Sequence, residues 1–164
     1  MPAGTVYEEH FRVLWFDDAD TPTDLEAITV TELADAFDTT GYLTEFDHGG
    51  SNDRVADGDY LQRFKPESMG TYGNQPKATF RRQLKGTGDE VAYTTFVLGA
   101  LGTIVVFETL PLGADPGVGD SYKAYPQCDT GEPQEMSPAH NEPVRFTVEW
   151  ACGSKPVRGV VTAS

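Results

Sequence analysis

The chain has 164 residues and a mass of 17.9 kDa, with 38% apolar side chains, which suits one ordinary domain and leaves no room for two compact ones. Its formal charge of −14 argues against a protein that grips nucleic acid through clustered Lys and Arg, and no apolar run approaches the ~18 residues of a membrane span. The charge is uneven: residues 1–53 sum to −12, residues 54–85 to +4 and residues 86–164 to −6, a pattern that suits docking between copies of the chain as well as scattered solvated charge.

Met1 to Glu9 shows neither a basic n-region nor an apolar h-region, so no signal peptide is readable and intracellular synthesis is expected. Phe11 to Phe16 reads as a strand, followed by the acidic turn Asp17-Asp18-Ala19-Asp20. Leu33, Ala34 and Phe37 share a face over Thr31 to Phe37, the pattern of a short helical turn. Tyr42 to Phe46 is a second strand, ending at the turn Asp47-His48-Gly49-Gly50, and Tyr60 to Phe64 a third. Ala78 to Leu84 alternates: Lys77, Arg81 and Lys85 lie on one face with Arg82 beside them, and Ala78, Phe80 and Leu84 on the other. That basic face fits a solvated strand surface, a contact for an acidic neighbour or, against the field of the whole chain, a nucleic-acid patch.

Thr87 and Glu90 form a capping-box pattern, and Tyr93, Phe96, Val97, Ala100 and Leu101 follow at helical spacing up to Gly102, so one full helix is predicted here. Thr103 to Leu110, Ser121 to Cys128, Val144 to Cys152 and Val157 to Thr162 complete about eight strands, the clearest being Val144, Phe146, Val148, Trp150 and Cys152 against Arg145, Thr147 and Glu149. The predicted fold is mainly β, a two-sheet β-sandwich or partly closed barrel with one flanking α-helix. Residues 1–9 with 17–27, and 47–59 with 65–76, read as irregular polar stretches, either mobile loops or contact arms.

Chemistry has little to stand on. Asp17, Asp18 and Asp20 lack a second ligand cluster and read as a solvated turn, and the run Asp53 to Asp59 fails as a calcium loop because Val55 and Phe64 occupy ligand positions. His10, His48 and His140 fall in no metal-spaced set, and His48 reads as a surface residue. Cys128, His140 and Glu142 could be written as a triad, but any sequence of this length yields one. No phosphate-cradling glycine motif is present, so no catalytic residue, cofactor or metal is expected. Cys128 and Cys152 are expected to be free and partly buried, with a bridge between adjacent strands as the alternative.

The order of Val30-Thr31-Glu32-Leu33, Asp38 to Thr44, Tyr93, Gly102 to Val106, Gly119 to Pro126, Val144 to Trp150 and a short strand from Val157 resembles the tail tube (major tail) proteins of long-tailed phages, especially those infecting actinobacteria. The resemblance spans roughly residues 25–164. It implies a single tail-tube domain over 1–164, with an N-terminal arm over 1–24 and a long interface loop over 47–76, assembled into stacked hexameric rings around an acidic lumen through which DNA leaves the virion. The partners it implies are further copies of the chain, tape-measure and tail-terminator or tail-tip proteins, and DNA in transit, with no membrane. Subunit contacts are then expected at Trp15, Phe16, Asp17 and Asp18, and at Arg54, Tyr60, Arg63, Phe64 and Lys65. A contractile-system or type VI secretion tube protein shares the pattern, and a soluble binding module or an enzyme is the remaining alternative.

Overall fold

The computed structural model describes residues 11–56, 67–83, 91–111 and 113–164. In chain order the first part holds β1 (Arg12–Asp17), α1 (Val30–Ala34), β2 (Phe37–Asp38), β3 (Leu43–Asp47), β4 (Gly50–Ala56), β5 (Glu67–Asn74) and β6 (Lys77–Arg81). The second holds α2 (Val91–Thr95), β7 (Leu101–Phe107), β8 (Ser121–Thr130), β9 (Gln134–Met136), β10 (Arg145–Cys152) and β11 (Val157–Val160). The main sheet runs β2-β1-β7-β8-β10-β6-β3, every neighbouring pair antiparallel, with β11 beside β8 and β9 beside β10. β10 joins its two parts: Trp150 to Cys152 pair with β8, while Arg145 to Glu149 pair with β6.

Two cores lie on opposite faces of β1 and β7. Val13, Trp15, Ile104 and Val106 turn to the first, with Phe80, Phe96, Phe146, Val148 and Trp150. Leu14, Phe16, Val105 and Phe107 turn to the second, with Ile28, Leu33, Leu110 and Val161. Burial on both faces is why these strands carry near-continuous apolar runs where β10 alternates. In the first core Trp15 stacks on Trp150 with ring centroids 6.2 Å apart and meets the edge of Phe96 at 5.3 Å. Gly102 makes room for that stack, since a Cβ there would lie 2.2 Å from the Phe16 carbonyl and 2.5 Å from the Trp15 ring.

The second core is covered by residues 25–34. Thr29 caps α1 in a full capping box with Glu32. The Tyr122 hydroxyl donates to the Leu25 carbonyl at 2.8 Å and accepts from the Ile28 N–H at 2.9 Å, and burial raises its pKa above the usual phenol value.

The mainly antiparallel β architecture is as the sequence predicts, and three local expectations change. The helix predicted up to Leu101 ends at Thr95: Gly99 adopts φ +81°, its N–H bonds the Thr130 carbonyl, and the Ala100 carbonyl accepts from Thr130, so the sheet claims the segment and Leu101 opens β7. The stretches read as irregular over 47–59 and 65–76 contain two strands, β4 and β5, whereas the strand read over Phe11 to Phe16 is present as β1, Arg12–Asp17. His48 is half-buried, held among aromatic rings. The predicted strand Tyr60 to Phe64, Lys85 and the Thr87 and Glu90 cap lie outside the described residues.

Candidate assembly surface

The β3–β6 and β4–β5 pairs form one ribbon. Asp47 faces Lys77, the Gln75 N–H bonds the Gly49 carbonyl at 3.1 Å, and Gly50 faces Asn74, so the register passes unbroken from the sheet into its extension. Beyond that root β4 and β5 pair only with each other among the described strands. A two-stranded ribbon is marginal in water by itself.

The root is fixed in direction. Gly49 has φ +59°, and a Cβ on it would lie 1.9 Å from the Gln75 carbonyl oxygen. His48 sits between Phe46 at 5.2 Å, Tyr125 at 5.8 Å and Phe11 at 6.4 Å. Its Nε2 bonds Glu108 at the end of β7 and its Nδ1 bonds the Tyr125 hydroxyl on β8. Because a carboxylate only accepts, the Nε2–H donates to Glu108.

Arg54 lies on the ribbon with its Cα opposite Met69. Tyr60, Arg63, Phe64 and Lys65 lie outside the described residues. Trp15 and Phe16 are 2% and 1% exposed, so their aromatic surface packs inside the subunit. Asp17 accepts from the Trp15 indole N–H at 2.9 Å, and Asp18 begins an exposed 3-10 turn that runs to Asp20, which leaves the acids as what this segment offers outward.

A feature the spacing did not single out is the pairing of Arg81 with Arg145 as cross-strand partners on the outward face of β6 and β10. Neither makes an ion pair among the described residues, and like charges directly opposite each other destabilise a sheet. Arg82 is used differently, with its guanidinium 3.9 Å from the Tyr93 ring centre and 3.5 Å from Glu135. Arg145 appears in the sequence only as one outward residue of an alternating strand, so its meeting with Arg81 required the register.

Among the described residues no group of three His, Cys, Asp or Glu side chains is placed to hold a metal ion. Cys128 is buried, whereas His140 and Glu142 are exposed around the turn at Asn141.

The described residues thus present an antiparallel sheet extended by a self-paired ribbon, with Arg81 and Arg145 opposed on its outward face. The chain matches the family model for the phage tail tube protein over residues 1–164, and it belongs to that family. No curated protein sequence matches it significantly. Among solved structures it is similar to the sheath/tube terminator of an extracellular contractile injection system, with TM-score 0.61 at 8% identity over 95% of this chain and 97% of that one. It is also similar to a chain of the anti-feeding prophage baseplate, solved with six-fold symmetrisation, with TM-score 0.59 at 9% identity over 98% of this chain and 99% of that one.

Proposed function

We propose that this chain is the repeating subunit of a phage tail tube, assembling through its own surface into hexameric rings that stack around a channel for DNA ejection. The observation that carries the reading is the ribbon of Gly50–Ala56 and Glu67–Asn74, which continues out of the sheet and pairs with no further strand among the described residues. On a neighbouring copy its strand edges would gain pairing partners. The six-fold baseplate likeness supports the ring count. The net charge of −14 per subunit supports an acidic lumen, which would let phosphates pass where a basic one would hold them. The proposed contacts are Asp17 and Asp18 with Arg54, Tyr60, Arg63, Phe64 and Lys65, joined by Arg81 and Arg145, while Trp15 and Phe16 support the acidic turn from within. The whole chain serves as a single tube domain, built in the host cytoplasm into the virion tail beside tape-measure and terminator or tail-tip proteins.

The test is negative-stain electron microscopy of concentrated protein beside light scattering on a sizing column. Hollow tubes of six-fold rings are the expected result. Rings that never stack would move the chain to a capping role like that of the terminator it resembles, and a strict monomer in solution together with purified tails that lack this chain would overturn the reading.

A further inference from the structure

Cys128 and Cys152 are direct cross-strand partners on β8 and β10. The Gly153 N–H bonds the Gln127 carbonyl at 3.0 Å, which makes the adjoining Gly153 and Gln127 the hydrogen-bonded pair and Cys152 and Cys128 the non-hydrogen-bonded pair. In such a pair the Cα atoms stand about 4.5 Å apart with the side chains close, inside the range of about 4.4 to 6.8 Å that a disulfide spans. Both side chains turn to the same core. Gln127, at φ +52°, breaks the alternation of β8 just before Cys128, so that Tyr125 and Cys128 face that core together. Both thiols are free in this structure.

The two sulfurs are not equivalent. Cys128 is fully buried and has one S–H with two acceptors in reach, the Tyr125 carbonyl at 3.1 Å and the Cys152 sulfur. Donation to Cys152 stabilises its thiolate, lowering the Cys152 pKa and raising that of Cys128, which burial raises further. Cys152 is partly exposed and lines a cavity of about 220 Å³ with Asn74, Gly153, Ser154 and Lys155. Asn74 is 6% exposed, and neither its amide nitrogen nor its carbonyl oxygen has a partner among the described residues. A small polar oxidant entering there meets an unused donor and acceptor beside the more acidic thiol.

We propose that Cys152 and Cys128 form a peroxide-responsive thiol pair, with Cys152 the attacking residue and Cys128 the resolving one. The Cys152 thiolate attacks one oxygen of hydrogen peroxide and breaks the O–O bond, giving Cys152 sulfenic acid and a hydroxide that is protonated to water. Cys128 sulfur then attacks the Cys152 sulfur and displaces its hydroxyl, which leaves as a second water with the Cys128 proton. Two thiols and one peroxide thus become one disulfide and two waters. The bond would tie β8 to β10 where the two parts of the sheet meet, and it stands independently of the assembly reading.

The full chain treated with hydrogen peroxide and examined by intact-mass and peptide mass spectrometry gives the test. The expected product has lost two hydrogens per chain, carries an intrachain Cys128 to Cys152 link, and unfolds at a higher temperature than the reduced form. Cys128→Ser should accumulate sulfenic and sulfinic acid at position 152 under the same treatment, and Cys152→Ser should leave Cys128 reduced. Overoxidation of Cys152 in the unsubstituted chain without a link, a link between chains, or two unreactive thiols would each overturn the proposal. Circular dichroism of both variants separates loss of reactivity from loss of fold.

Discussion

Tyr122 shows how one polar atom organises a core. Its hydroxyl is the partner of the Ile28 N–H and a donor to Leu25, tying the segment before α1 onto the face of β8. Tyr122→Phe preserves the ring against Phe107 and strands that N–H without a partner, so a loss of about 1–3 kcal/mol is expected, read by urea denaturation. Thr29 and Glu32 then hold the start of α1 from the other side. Alternation could place Tyr122 on a strand but gave no sign of its partner, because Leu25 and Ile28 lie nearly a hundred positions away along the chain.

At the level of elements, the strands with one buried face were legible: β10 and β6 alternate as their burial does. The run over β1 was legible as a strand for a different reason, as an apolar stretch buried on both sides. The ribbon was not legible, since Gly50–Ala56 and Glu67–Asn74 carry no apolar period in the sequence. The helix was over-read because Val97, Ala100 and Leu101 keep helical spacing while Gly99 and the Thr130 backbone redirect the chain. For the candidate surface, composition revealed the opposite signs of charge, but which cations lack partners depended on pairing. The ribbon root gives the sharpest test. Gly49→Ala cannot be accommodated without displacing the Gln75 carbonyl, so the ribbon should leave its direction while the two cores stay intact. The expected outcome is loss of tubes in electron micrographs with an unchanged near-ultraviolet circular dichroism spectrum.

Across the whole molecule, the distribution of charge is set by which ions are already paired. Arg12, the single base of residues 1–53, is bound to Asp38 at 2.7 Å and Asp115 at 3.3 Å, so the N-terminal segment presents acid outward. Arg81 and Arg145 oppose each other on β6 and β10 with no ion pair among the described residues. Complementarity of this kind governs encounter and register between copies more than it governs the fold. Arg81→Glu with Arg145→Glu is expected to leave the thermal midpoint of the subunit nearly unchanged while slowing assembly by about tenfold or more at low salt, a difference that shrinks as salt screens both proteins. Light scattering followed over a salt series checks both parts.

The pairing of β1 with β7 also sets a timetable. Arg12 waits for Phe107, and the second core waits for Val161, whereas β4 and β5 close over a short stretch of chain. A chain emerging from the ribosome therefore closes neither core until its late strands are out, and long-range closure of this kind is slow. Nascent copies crowded on one message would meet with their apolar interiors still open. The delay gives a physical reason for the acidic N-terminal segment: early repulsion between unfinished chains, exerted before the contacts of the finished ones exist.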